Sequence, residues 1–483
     1  MKIIDTYLRQ WLPNLKASPA EIVEALTLIG LMARQIQDKG EIIYDIEVKQ
    51  NRGDCLGYYG IVRDLSVYFK TQLTPLTLKP FKIAKQKSLP IEIKTNLVKR
   101  LLAYRLTGLK NKPSPAWLKN FLACHEINSI NALVDLTNFV MLWYGLPCHA
   151  FDTRKTEKLI WEINQNRYPH FTTLDGTKVK LRPENLVVSD GQKAVSLTFI
   201  GGQNSGVELA TQETIIEMAV YNRIRVRQDR QALKIQTESS TRLEKDLDPE
   251  LIPQALQHLI KLVLENCGGK ITGAFEFYPE KVQPAKIELD LKKASDYAGI
   301  NIPLPTAQKI LERLGCRLDQ NWIIPTIRKD LQIEEDLIEE IISFYGYHQI
   351  PTDQPLAYKK LPNITPPILI KIAQVKAELV KKGYDEIRSW PLIREKYLEN
   401  NGLKPIYTQN NVNEKYPVLR NSIICSLKQQ KDQYERLKVP RVKFFEIGKI
   451  FYQEKGQYKE RYSLGKYYRG RFEEINLEAD ERR

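Results

Sequence analysis

Apolar positions recur along this chain at two periods, and the switches between them divide it into segments. Near the start, residues 20–31 carry the helical period, with Ser18-Pro19 supplying an N-cap and a first-turn proline. IYDIEV (43–48) alternates as a strand, and NRGDCL turns into a second helix over 57–69 with Ile61, Leu65 and Phe69 on one face. Residues 1–75 therefore predict a small α+β unit. Residues 76–99 are rich in Lys, Pro and Leu without a clear period and predict a linker holding one extended segment.

From 100 to 278 short β-rich runs alternate with turns: LAYRLTGL, LIWEI, FTTLDGTKVKL, LVVSDGQKAVSLTFIGGQNSG and TIIEMAVY. Asp175-Gly176 and Asp190-Gly191 are hairpin signals. Two helices are expected within this region, over 115–122 and over 250–267, the second stopping at Gly268-Gly269. Residues 279–352 read as strand, helix, helix, strand and a final helix, with Gly315 closing LPTAQKILERLG. A proline-rich bridge (Pro355, Pro362, Pro366, Pro367) spans 353–368, mixed α/β text fills 369–470, and 471–483 is a charged tail expected to fray.

The final helix of the third region, within RKDLQIEEDLIEEIISFYGY (328–347), combines an apolar face with a patch of acids. Leu337, Ile338, Ile341, Ile342 and Tyr345 fall at helical spacing as the buried side, with Asp330 placed as an N-cap. Asp336, Glu339 and Glu340 stand at i, i+3 and i+4, where like charges repel by a few tenths of a kcal/mol per pair. Mg²⁺, an Arg/Lys-rich partner surface, or plain solvation near a helix start would each balance them.

Composition narrows the class. At 483 residues, 42% hydrophobic and 27% charged, the chain is long enough for roughly three to four folded domains. The formal net charge of +15, spread without long basic blocks, points to a polyanionic partner such as nucleic acid. Six cysteines lie far apart without paired C-x-x-C spacing, which predicts free thiols in a reducing cytoplasm. No run of 18 apolar residues occurs, so no membrane association is expected.

At INSINALVDLTNFVMLWYGLPCHAFD (127–152) the chain resembles the editing domain of the bacterial phenylalanyl-tRNA synthetase β-subunit family. The likeness continues, in the family's order, through LDG (174–176), IGGQNSGV (200–207), TIIEMAVY (214–221) and TESSTRLEKDLDP (237–249). WLPNL and DIEVKQNRGDCLGYYGIVRDL (45–65) are similar to the family's N-terminal unit, and IEEDLIEEI with YGY to its small DNA-binding-like domain. VLRNSIICSL (418–427) and VKFFEIGKIFY (442–452) are similar to its inert synthetase-like core.

The resemblance implies an α+β, multidomain protein: an N-terminal α+β unit, a β-rich editing-like domain, a small winged-helix unit and a partial class II synthetase-like antiparallel α/β core. It implies an α-subunit partner that binds ATP and phenylalanine and charges tRNA(Phe), in an αβ or (αβ)₂ assembly. This chain would supply architecture, tRNA contacts and a pocket that hydrolyses misattached tyrosine. In that pocket His149 would bind substrate or orient water, Glu217 would accept the tyrosine hydroxyl, and Thr237 and Ser239 would line the walls. The chain departs from the family at Ser239, where alanine is usual, and at Thr198-Phe199, where a small Ala-Gly pair is usual.

Asp330, Asp336, Glu339 and Glu340 match positions that the family associates with Mg²⁺ near the α interface. The family's oligonucleotide-binding barrel and C-terminal anticodon-binding domain find no room here, so a reduced form is expected. A free-standing deacylase of mischarged Tyr-tRNA and a non-catalytic RNA-binding paralogue are the alternative functions.

Overall fold

The computed structural model describes residues 1–74, 87–174, 176–351 and 364–478, and these residues form a mixed α+β, multidomain architecture. They divide into two compact units, Met1–Gln354 and Pro355–Arg483.

The first unit opens with β1 (Lys2–Ile4), α1 (Asp5–Trp11), α2 (Pro19–Leu28), β2 (Ala33–Asp38), β3 (Glu41–Ile46) and α3 (Tyr58–Tyr68). Ser18 caps α2 through a capping box with Glu21, so the N-terminal signal in Ser18-Pro19 is realised, although the helix ends three residues earlier than the spacing suggests. Sequence reasoning missed β2. It pairs with β3 through a two-residue turn at Lys39-Gly40, both at positive φ (51° and 81°), as a right-twisted hairpin requires.

Residues 87–93, within the expected linker and its one extended segment, contribute two short strands, β4 (Lys87–Ser88) and β5 (Ile91–Ile93). The remainder of the expected linker, 75–86, lies outside the described residues. Next come β6 (Val98–Thr107), α4 (Ala116–Cys124), α5 (Ala132–Tyr144), β7 (Cys148–Asp152), β8 (Leu159–Ile163), β9 (His170–Thr172) and β10 (Lys178–Lys180). They are followed by β11 (Leu186–Ser189), β12 (Ala194–Leu197), β13 (Ile200–Gly201), β14 (Glu213–Tyr221), α6 (Arg223–Leu233), α7 (Glu238–Leu243), α8 (Ile252–Cys267) and β15 (Lys270–Phe277).

Two five-stranded sheets result, in the orders β4-β15-β6-β14-β7 and β13-β12-β11-β8-β5. Trp161 on β8 donates its indole N–H to Tyr221 Oη on β14 at 3.1 Å and ties the two sheets together. Hairpins form at both predicted turns, β9–β10 and β11–β12. Asp175 of the first turn lies outside the described residues.

Helices α5, α6 and α7 were not anticipated. The reason for α5 is plain: eleven of its thirteen residues are buried, so an apolar run hides the one-sided stripe that identifies a surface helix. Asn131 caps it, its Oδ1 accepting from Val134 N at 3.1 Å. Around α5 an aromatic cluster joins α1, α3 and α4: Trp143 stacks on Tyr58 and Phe139 at centroid distances of 5.1 and 4.9 Å, and Phe121 meets Phe139 edge-on at 4.8 Å.

The unit ends with β16 (Lys286–Ile287), α9 (Leu291–Ala298), α10 (Leu304–Arg313), β17 (Arg317–Leu318), β18 (Trp322–Ile323) and α11 (Glu334–Tyr345). Leu337, Ile338 and Ile341 are buried in this region's core, while Ile342 and Tyr345 pack at its edge. Asp330 is not the N-cap of α11. The helix begins four residues later, behind Ile333, and Asp336 reaches back to the Ile333 and Gln332 amides at 3.0 and 2.7 Å.

In the second unit α12 (Pro367–Lys381) starts on Pro367 at a first-turn position; Pro355 and Pro362 of the expected bridge lie outside the described residues. Then come β19 (Asp385–Glu386), β20 (Leu392–Ile393), β21 (Ile406–Tyr407), β22 (Val418–Leu419), α13 (Ile423–Arg436), β23 (Lys443–Glu454), β24 (Gln457–Tyr468) and β25 (Arg471–Asn476). The main sheet runs β19-β23-β24-β25. The tail over 471–476 does not fray: it pairs with β24 from Tyr468↔Arg471 to Ser463↔Asn476, and Leu477 is buried. Exposed and half-buried positions alternate along it, a strand period masked by polar composition.

Phe121→Ala, which empties the centre of the aromatic cluster, is expected to lower unfolding stability by about 3–5 kcal/mol in urea titrations followed by tryptophan fluorescence.

Candidate functional site

Glu217 and His149 sit directly opposite each other in the β14–β7 pairing, so their side chains project to one face of the sheet. From Glu217 the strand period also brings Ala219 and Tyr221 to that face. Together with Thr198 in the β12–β13 turn and Ser239 on α7, they enclose a cavity with about 60 Å³ of free space. Gly201 permits the enclosure, because a Cβ there would lie 2.3 Å from His149 Cε1.

Three buried polar atoms in this cavity have no protein hydrogen-bond partner: His149 Nε2, Glu217 Oε2 and Thr198 Oγ1. An unpaired buried polar group costs about 1–3 kcal/mol, so the cavity is built for a polar guest, water included. Burial pushes the Glu217 carboxyl up to about 8 and the His149 imidazole down to about 4. At neutral pH Glu217 is therefore a hydrogen-bond donor as well as an acceptor, and His149 is uncharged and able to accept a hydrogen bond.

Ser239 lines the cavity and directs its hydroxyl to Met141 Sδ at 3.6 Å. Thr237 is not among the lining residues. It caps α7, its Oγ1 accepting from Ser240 N and donating to Phe199 O, both at 2.9 Å. Tyr221 was missed as a cavity residue, although alternation from Glu217 points to it; Thr198, marked by the resemblance as a departure from the family, lines the cavity.

The acidic patch on α11 is balanced from within the protein. Arg328, fully buried, grips Asp330 through Nε (2.9 Å) and Nη2 (2.7 Å), and Glu340 through Nη1 (3.0 Å) and Nη2 (2.8 Å). Arg52 lies 3.8 Å from Asp330 and bonds Asp54 and Asp64 at 2.9 and 2.5 Å; Arg63 bonds the same two acids at 2.5 and 3.0 Å. Burial alone would raise Asp54, but the Arg52 and Arg63 guanidiniums outweigh it and hold that carboxyl far below the usual range. Cys55 lies inside the same network, its sulfur 3.0 Å from Arg52 Nη2.

The four acids line one cavity of about 280 Å³ together with Lys49 and Arg52, and three of them are already engaged within the protein. Asp330 and Glu340 are committed to Arg328, Asp336 to backbone amides, and Glu339 alone stands exposed. Among the described residues no group of three or more His, Cys, Asp or Glu side chains is placed to hold a metal ion. Arg328 opens the very motif that holds these acids, yet periodicity cannot show that it turns inward.

Comparison with known proteins follows the same order of parts. Residues 97–268 match the B3/4 domain, 287–347 the tRNA synthetase B5 domain, and 355–483 the phenylalanyl tRNA synthetase beta chain CLM domain. Over 436 residues the chain is 33% identical to the phenylalanine–tRNA ligase beta subunit of Aquifex aeolicus, covering 88% of this chain and 55% of that protein. Over 446 residues it is 30% identical to the same subunit of Aliivibrio fischeri, covering 90% and 56%. Among solved structures, an N-terminal fragment of the phenylalanyl-tRNA synthetase beta subunit from Pyrococcus horikoshii aligns with 72% of this chain and 99% of that fragment, at 14% identity and a TM-score of 0.41.

These matches place domain types of tRNA synthetases along the chain. Over the matched residues the chain belongs to the phenylalanyl-tRNA synthetase β-chain family. It spans about half the length of the curated relatives it matches. No described helix is long and apolar enough to cross a membrane.

Arg328→Ala leaves Glu340 without its counter-charge and Asp330 with only Arg52 at 3.8 Å, and is expected to cost about 3–5 kcal/mol, whereas Glu339→Ala stays within about 0.5 kcal/mol; chemical denaturation separates the two. Chelation with EDTA should leave the wild-type unfolding midpoint unchanged. For Glu217, the folded pKa of about 8 lies above the ordinary carboxyl value of 4.5, so the folded state binds the extra proton between these values and stability falls as pH rises through that window. Glu217→Gln is expected to remove this slope in pH-dependent unfolding.

Proposed function

We propose that the chain acts as a β subunit of phenylalanine–tRNA ligase in the cytoplasm. It supports ATP-dependent charging of tRNA(Phe) by a partner α subunit, through architecture and tRNA binding, in an αβ or (αβ)₂ assembly. The observation that carries this reading is the ordered run of B3/4, B5 and CLM domains along one chain. The net charge of +15 suits a polyanionic RNA partner, each neutralised phosphate adding salt-sensitive affinity.

A second reading, hydrolysis of mischarged Tyr-tRNA by the chain itself, is favoured by the three unpartnered polar atoms around the cavity. Its size opposes that reading. About 60 Å³ accommodates roughly two waters at about 30 Å³ each, and an engineered cavity that takes up benzene is about 150 Å³, so a phenol ring enters only if the walls move.

Co-expression with a cognate α chain tests the first reading. The expected result is a complex that survives purification and a charging rate that depends on both chains; an α chain that charges equally well alone would sink it. Isolated chain mixed with Tyr-tRNA tests the second, which stands only if hydrolysis occurs and both His149→Ala and Glu217→Ala abolish it.

A further inference from the structure

The second unit contains a cavity of about 480 Å³ between α12, the segment at Ile387–Ser389 and β23–β24, remote in sequence from the His149–Glu217 site. That volume lies within the range of about 300–1,000 Å³ typical of small-molecule sites. One wall is apolar, with Ile372, Ile447, Phe451 and Tyr462. Another carries Arg420, whose side chain is only 4% exposed.

Arg420 is held rigidly. Its Nη1 donates to Glu446 Oε1 at 2.6 Å, to Ser426 Oγ at 3.0 Å and to Ser389 Oγ at 3.1 Å, while Nε donates to Lys449 O at 2.8 Å. Among the described residues Nη2 has no hydrogen-bond partner. It lies over Gly448, where a Cβ would be only 2.1 Å away, so glycine is what allows the guanidinium this position. Glu446 is already answered, by Arg420 and by the amide and hydroxyl of Ser389 at 3.2 and 2.6 Å. Two further cations on the lining, Lys376 and Lys449, are paired with Glu386 and Glu460. Arg388 lines the cavity, is exposed and has no acidic partner among the described residues.

We propose that this cavity binds a small organic acid, with an aromatic or aliphatic body against the apolar wall and a carboxylate or phosphate head between Arg420 Nη2 and Arg388. A guanidinium with one uncommitted nitrogen, fixed on a buried carboxylate and facing free volume, is a preorganised donor for an oxyanion. The unpaired Arg388 supplies the net positive charge that such a head requires.

Isothermal titration of the full chain tests the site, with phenyl phosphate, benzoate and, as an uncharged control, benzyl alcohol. The expected result is saturable binding of at least one acid with Kd of about 1 mM or tighter, without saturation by benzyl alcohol. Phenyl phosphate alone would assign the head to a phosphate, and benzoate alone to a carboxylate. Arg388→Glu, altered only at an exposed side chain, should weaken the bound acid about tenfold or more, the loss of one charge-assisted contact. Arg420→Lys should abolish binding; if that variant does not fold, Arg388→Glu decides. No saturation by either acid up to about 10 mM, equal binding of benzyl alcohol, or undiminished binding by Arg388→Glu would each overturn the site.

Discussion

The first unit depends on a buried charge network. Arg52, Arg63 and Arg328 meet Asp54, Asp64, Asp330 and Glu340, all nearly or largely buried, and the contacts run from the turn before α3 to the acidic helix α11. Such a network adds little if it is replaced whole by well-packed apolar groups, but loss of a single member strands its partners in a medium that cannot solvate them. It therefore acts less as a source of stability than as a registration device. The N-terminal unit and the region around α11 have one relative position in which every charge is answered.

The cavity beside β14 follows a different rule. Its sheet is packed on both faces, and into this apolar setting the chain places a carboxylate and an imidazole facing each other across two strands. Burial keeps both uncharged near neutrality, and the enclosing turn at Thr198-Phe199 leaves space for waters in place of a ring. Chemistry and volume thus point in different directions here: the polar atoms are suited to recognition, whereas the walls as they stand exclude a large guest.

Much of this was legible in the residues themselves. The Ser18 cap, the β11–β12 hairpin, the strand-helix-helix-strand order before α11 and the inward position of Glu217 all follow from local spacing. What escaped did so for physical reasons. Helix α5 lacked a polar face, β25 hid its period under charge, and Asp330 was drawn from its expected cap by an arginine whose inward turn is a tertiary event. Thr237, expected in the cavity wall, serves the start of α7 instead, because its one hydroxyl is consumed by the cap.

Cys55 gives the charge network a property that its ion pairs alone would not. Burial, together with Asp54 and Asp64, pushes this thiol far above its ordinary range despite the nearby Arg52, so the thiolate required for attack on peroxide or disulfide does not form. At the junction between the N-terminal unit and α11 the thiol is thus shielded both by burial and by its raised pKa, which disfavours its oxidation.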